Sequence, residues 1–215
     1  MEMNNLKPNQ QRAKIAIFLK WIGLFLECIS LIYFLISILF IDYLITNDSL
    51  AAFYINISTP LIVSTILITI ISMIALILWL YRAYYNLQQL GVKLSYGVGW
   101  AVGCWFVPII NLYRPCGLIQ DLYEKTNDYF KENYQNINTR LSFNFVGLWW
   151  ISWIANSILA FYTFYSDNTS IIIISSIIGM VSTLLTIKLI KSYSKIELIL
   201  YKGQLNKNAE ILETE

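Results

Sequence analysis

The sequence predicts an all-α membrane protein: four transmembrane helices arranged as two hairpins, plus a re-entrant or interfacial Gly/Trp/Pro segment and an amphipathic inner-face helix. Three observations lead there. Of the 215 residues, 57% are apolar and only 13% are charged, against about 25% charged in an ordinary soluble domain. Four apolar runs each approach the ~20 residues that a helix needs to cross the hydrocarbon. The basic residues also fall in three groups separated by connections that carry none, the pattern of an even number of crossings. The whole chain, 1–215, thus reads as a single integral membrane domain.

Residues 1–14 form an N-terminal arm. The first span, 15–45, is too long for the core of a signal peptide and is read as an uncleaved helix. The second span covers 57–80, the third 143–165 and the fourth 171–190. Lys7, Arg12, Lys14 and Lys20 lie before or at the start of the first span, six further Lys and Arg lie from Arg82 to Arg140, and five lie from Lys188 onward. The connections at 46–56 and 166–170 have none. Since cytoplasmic loops collect Lys and Arg, the region 81–142, the tail 191–215 and the N-terminus are expected on the cytoplasmic side of a bacterial inner membrane. Asn-x-Ser triplets begin at Asn47, Asn56 and Asn168, in or next to the proposed outer connections.

The segment 94–113 is uncharged and long enough to span, but a fifth crossing would place the two basic termini on opposite sides. Gly97, Gly99, Gly103 and Pro108 suit a regular spanning helix poorly, whereas Trp100, Trp105 and Tyr113 suit the headgroup level. It is therefore expected to be re-entrant or interfacial, sheltered by the four helices. The second helix should continue past Leu80 as far as Gly91, a favourable stop. Residues 117–132 alternate apolar and charged positions as an amphipathic helix, with Asp121 and Glu124 on what reads as a solvated, charge-balanced face. Lys188, Lys191, Lys195 and Lys202 share one face of the last helix, as an ordinary positive flank or a stripe that leans on anionic headgroups.

Two stretches, WLYRAYYNLQQLG (Trp79 to Gly91) and GWAVGCWFVPIINLYRP (Gly99 to Pro115), together resemble the signature of an uncharacterised bacterial membrane family, domain of unknown function 4328. The matching positions are Trp79, Arg82, Asn86, Gly91, Gly99, Trp100, Trp105, Phe106, Pro108, Asn111 and Pro115. The resemblance supports the four-span architecture and implies no reaction. Cys104 departs from it, standing where the family often carries a larger aromatic.

There is no histidine, no nucleophile elbow, no metalloprotease helix motif, no phosphate-binding loop and no dinucleotide fingerprint. An enzyme is not expected, nor a metal or cofactor. Cys28, Cys104 and Cys116 have the spacing of neither a zinc site nor a disulfide framework, and they read as reduced thiols. A net charge of +2 gives no basis for a nucleic-acid partner. Glu27 is the sharpest candidate. It lies within the first span, where a carboxylate needs a partner or a proton. Arg82 is the first expected partner and Arg114 a competitor, forming an inter-helix clamp or, in a functional reading, a proton- or cation-coupling site. Asn156, in the third span, should turn toward another helix. The small residues Ser175, Gly179, Ser182, Thr183 and Thr186 of the fourth span, and Thr65, Thr69 and Ser72 of the second, allow close packing or would line a pore. The remaining candidates are Asn86, Trp100, Trp105, Pro108 and Asn111.

Three functions follow. The first is a non-enzymatic membrane interaction or assembly module whose inner face, Arg82 to Arg140, docks a cytosolic or membrane protein. The second is a small channel, transporter or permeabilising effector formed as a homo-oligomer, with Glu27 and Asn156 near its path. The third, a lipid-modifying enzyme, would require Asp121 or Glu124 to converge beneath a groove. The lipid bilayer is a partner in all three.

Overall fold

A computed structural model describes residues 6–134, 142–163, 165 and 168–214. All regular structure among them is helical: α1 (Gln10–Leu39), α2 (Ile41–Thr46), α3 (Asp48–Gln89), α4 (Trp100–Gly103), a 3-10 turn (Ile110–Leu112), α5 (Arg114–Asn133), α6 (Phe143–Thr163) and α7 (Thr169–Thr214). Arg140, together with Ser166 and Asp167 of the last connection, lies outside the described residues. Four helices, α1, α3, α6 and α7, are long and apolar enough to cross a membrane.

The first apolar run is not one helix. The Phe40 N–H still bonds to the Ile36 carbonyl, but the Phe40 carbonyl starts a new turn by accepting from Tyr43 and Leu44, so α2 branches from the end of α1. The next connection is shorter than its lack of basic residues suggests. Asn47 caps α3 by accepting the Leu50 N–H at 3.0 Å, so residues 48–56 are helical and α3 runs for 42 residues, with Pro60 inside it. Asn168 does the same for α7, accepting the Ser170 N–H at 3.0 Å. Two of the three Asn-x-Ser triplets are therefore helix starts, the role for which a short amide side chain is favoured. Gly91 ends α3 with φ +78°, a conformation that costs glycine little.

Side-chain contacts fix the register. Arg12 donates to the Leu78 carbonyl at 3.0 Å, and Tyr33 stacks on Tyr54 at 4.8 Å, so α1 and α3 run in opposite directions. Lys191 of α7 lies over Trp21 of α1. Between α6 and α7, Trp149 donates to Thr186 Oγ at 2.9 Å. A Cβ added at Gly179 would sit 3.1 Å from Asn156 Oδ1, which places Asn156 toward α7, as expected of a polar group inside a bundle.

The core gathers at the end of the bundle that carries α5. Ala13 and Ala16 of α1, Trp79, Leu80 and Tyr84 of α3, Leu118 and Leu122 of α5, Trp149 of α6, and Leu189 and Tyr193 of α7 are all buried there. Toward α2 the helices instead expose Leu39, Tyr43, Phe53, Ile55 and Ile62. A stripe of small residues on α7, Ser175, Ser182 and Thr186, is buried between helices, the close approach that such residues permit.

Candidate functional site

At the α5 end a framework of buried polar groups joins elements far apart in sequence. Glu197 of α7, 5% exposed, accepts two hydrogen bonds from Asn9 Nδ2, at 3.1 and 2.9 Å, and one from Asn86 Nδ2 at 2.9 Å. Asn9 also donates to the Trp79 carbonyl at 3.2 Å. Although it stands just before α1, it caps nothing with its side chain, because that amide is committed to α3 and α7. Asn86 is bound in turn to the backbone of Lys7, donating to its carbonyl at 2.9 Å and accepting its N–H at 3.0 Å. Trp79 Nε1 donates to Ser194 Oγ at 3.1 Å, and Gln10 donates to the Ser194 carbonyl at 2.6 Å. The start of the chain is thereby tied across α3 and α7. A buried carboxylate is tolerable only when its oxygens are supplied with donors, and here three amide N–H bonds supply them.

A second carboxylate, Asp121 of α5, is 6% exposed. It accepts from the Tyr84 hydroxyl, from the Ser95 hydroxyl at 2.6 Å and from the Ser95 N–H at 3.1 Å. It therefore fixes α5 to α3 and to the start of the segment 94–113. The expectation of a solvated acidic face on α5 is corrected here: Asp121 is buried and satisfied, whereas Glu124 is exposed. Three residues turn a helix by about 300° and rise about 4.5 Å, and in this register only position 121 meets α3. The two acids thus stand in different surroundings, one buried and one exposed. Two residues after Asp121, Tyr123 donates to the Leu189 carbonyl at 3.0 Å and contacts Ser192 Oγ at 3.0 Å. Burial raises its phenol above the ordinary value, with the Ser192 hydrogen bond opposing the shift.

The segment 94–113 contains no continuous helix, only α4 and the 3-10 turn joined by tight turns. Trp105 meets Trp150 and Trp153 edge-on, at 6.3 and 6.2 Å, and those two rings stack at 4.8 Å. Trp150 Nε1 donates to the Leu112 carbonyl at 2.9 Å. The segment is thus pinned to α6 at both ends of its loop. Pro108 lies exposed between those anchors, and Trp100 is partly exposed beside them. Burial pushes the Cys104 thiol up to about 11 and also raises Cys116. All three cysteines are free.

The expected partnership of Glu27 with Arg82 or Arg114 is not formed. Among the described residues the salt bridge is Lys131 with Asp128, and Glu27 Oε2 is covered without a hydrogen-bond partner. Axial distance explains it. Arg12 of α1 lies level with Leu78, near Arg82, and Glu27 is fifteen residues further along α1, roughly 22 Å at 1.5 Å per residue. Lys20, on the same helix, is the cation whose charge acts on Glu27, whereas the charge of Arg82 acts on Glu197. Arg114 is held among aromatic rings. Of the sequence candidates, the structure brings Asn86 and Arg82 to the Glu197 framework and Trp100, Asn111 and Arg114 to the loop. Glu27 and Asn156 stand apart in the spans.

Asn9, Glu197, Ser95 and Tyr84 escaped the sequence reading. For Asn9 the signal was a capping-type residue just before the first apolar run, and for Glu197 a lone acid inside a lysine stripe.

The profile described as Domain of unknown function (DUF4328) matches residues 48–195, more than half of the chain. The chain belongs to the DUF4328 family. That match takes in α3, the segment 94–113, α5, α6 and most of α7, hence both carboxylate-bearing helices except the end of α7 from Ile196. No curated protein and no solved structure matches the chain.

Beside the framework, at the corner of α3 and α5, lies a polar cavity of about 460 Å³ lined by Leu90, Lys93, Lys125, Asp128, Tyr129 and Glu132, among others. Its charges are mixed in sign. Among the described residues there is no cluster of three metal-ligating side chains.

Proposed function

We propose that this DUF4328 protein is a non-enzymatic membrane interaction module. It is threaded as two hairpins, α1–α3 and α6–α7, with the segment 94–113 dipping into the inner leaflet. Both termini and α5 lie on the cytoplasmic side of a bacterial inner membrane, where the corner of α3 and α5 docks a protein partner. The observation that carries this reading is the concentration of buried, hydrogen-bonded polar groups at one end of the bundle. Asn9, Asn86, Asp121 and Glu197 rigidify a face that a membrane anchor alone would not need, and beside it sits an open cavity with both signs of charge. Mixed charge favours a protein surface over a lipid one, since it gives register and selectivity rather than bulk attraction. The lysines and arginines on this side supply the orientation.

Site-specific photo-crosslinking in cells tests it. A crosslinker at Tyr129, in the cavity, is expected to give discrete protein adducts that disappear with Lys93→Glu and Lys125→Glu, while one at Ile66 on α3 gives lipid adducts alone. Lipid adducts at both positions would refute the docking face.

One observation favours the channel or transporter alternative. A mostly apolar cavity of about 230 Å³ between α1, α3 and α7 is lined by Leu31, Phe34 and Ile62 together with Ser30, Ser58 and Ser176, among others. Ser30 Oγ and Glu27 Oε2, one turn apart, are covered without partners. Ion flux through protein-containing liposomes that is lost in Glu27→Gln would establish that reading, and tight liposomes would reject it.

A further inference from the structure

Arg114, the first residue of α5, carries its guanidinium over three rings: Tyr96 at 4.5 Å, Trp100 at 5.3 Å and Tyr113 at 5.6 Å. Aromatic faces attract a cation and hold it in place, but they leave its charge uncompensated. Arg114 Nε has no hydrogen-bond partner, and among the described residues no carboxylate lies within ion-pair distance of this side chain. Three residues earlier, Asn111 Oδ1 is likewise without a partner. An unspent donor and an unspent acceptor therefore stand close together in sequence at the root of one loop.

The loop itself is apolar and outward-facing. Phe106 is 74% exposed and Ile109 76%, with Leu112 and Tyr113 also exposed. The anchors of that loop, Trp150 and Trp153, lie seven and ten residues beyond the start of α6, roughly 10–15 Å along its axis. If α6 crosses the membrane, Phe106 and Ile109 stand at acyl-chain depth, while Arg114 marks the return of the chain toward the headgroups. Other cations of this end rest over a single ring, Lys7 over Tyr85, Lys188 over Phe145 and Lys191 over Trp21, or pair along their own helix, Lys131 with Asp128, whereas Arg114 alone of these has three rings about it.

The geometry points to a binding site for an anionic glycerophospholipid, with the headgroup phosphate on the Arg114 guanidinium and the acyl chains along Phe106, Ile109 and Leu112. Guanidinium and phosphate match in shape as well as charge, because two parallel N–H bonds can meet two phosphate oxygens. This site rests on the membrane reading of the four helices and is independent of what docks at the α3–α5 corner, so failure of either leaves the other standing.

Native mass spectrometry of the full chain, released from nanodiscs of phosphatidylglycerol and phosphatidylcholine, reads lipid retention directly. Wild type is expected to retain phosphatidylglycerol in preference to phosphatidylcholine. Arg114→Gln should weaken that retention by about tenfold, the loss of one charge-assisted contact, with partial recovery in Arg114→Lys. Lys14→Gln, an exposed lysine of α1, should leave lipid retention unchanged. Phe106→Ser combined with Ile109→Ser should lower retention of both lipids. Equal retention by wild type and Arg114→Gln would overturn the site. So would displacement of the lipid by millimolar inorganic phosphate, which would make it a site for a free anion. Should Arg114→Gln not fold, unchanged preference in Arg114→Lys and unchanged retention in the loop double variant would overturn it equally.

Discussion

The two ends of the bundle are built on different principles. At the α5 end the large side chains Trp79, Tyr84, Tyr123 and Tyr193 are fully buried, and their polar tips are each bonded or in polar contact, to Ser194, Asp121, Leu189 and Thr126 respectively. Toward α2 the apolar side chains Phe53, Ile55, Ile62 and Leu67 face outward. Where lipid is the solvent, burying a leucine between helices gains little, since the tails are as apolar as its partner. Where water is the solvent, the hydrophobic term returns and every polar group taken inside must be matched. The contrast teaches that this chain concentrates its specific packing at the α5 end, while the α2 end keeps large apolar side chains turned outward.

That contrast can be broken by substitution, and the largest effect should come from the aromatic core. Trp79→Ala is expected to lower stability by about 3–5 kcal/mol, measured as thermal unfolding in detergent. Ile66→Ala, on the exposed side of α3, should stay within about 0.5 kcal/mol. Comparable losses at the two positions would erase the distinction. Next is Glu197→Leu, which strands the amides of Asn9 and Asn86. A loss of about 2–4 kcal/mol is expected, together with faster proteolysis of the N-terminal arm, because residues 7–10 are fastened to α3 and α7. Asp121→Asn should cost less, about 1–2 kcal/mol, since an amide oxygen can still accept from Ser95. Gly179→Ala sharpens the comparison at the seam between the regions. Its Cβ would press on Asn156 Oδ1, for an expected loss of about 1 kcal/mol. The smallest effect belongs to Glu124→Gln, within about 0.5 kcal/mol, because that side chain is exposed. Chemistry separates the regions as well. With its thiol buried and raised to about 11, Cys104 should resist maleimide at pH 8, where a thiol so shifted is almost wholly protonated.

Those features of the sequence that repeat along a helix were legible. Four long apolar helices, the amphipathic α5 and the stop at Gly91 follow from local periodicity and from the backbone freedom of one glycine, and the structure has them, with the first apolar run divided between α1 and α2. The helical start at 48–56 was hidden by a competing motif. The sequence reading takes Asn47 only as the start of an Asn-x-Ser triplet, and the Leu50 N–H pointing at its side chain reveals the cap. The framework was harder to see because it is not local. Asn9 and Glu197 are 188 residues apart, and each alone resembles an ordinary polar flank of a membrane helix. Glu27 misled in the opposite way. A charge within an apolar run stands out strongly, yet its expected partner Arg82 lies at another level of the bundle, which helix counting before packing could not place. Asp121 shows the same limit: the amphipathic pattern located the helix but misjudged which face met α3.

The central claim is that Asn9, Asn86 and Glu197 act as one unit that fastens the chain start to α3 and α7. A double-mutant cycle of Asn86→Ala and Glu197→Ala, read as thermal unfolding of the full chain in detergent, tests it most directly. A coupling of at least about 1 kcal/mol is the predicted result, since contacting members of one network depart from additivity by this much or more. Losses that simply add would contradict the account, leaving two independent polar side chains where a single framework is claimed.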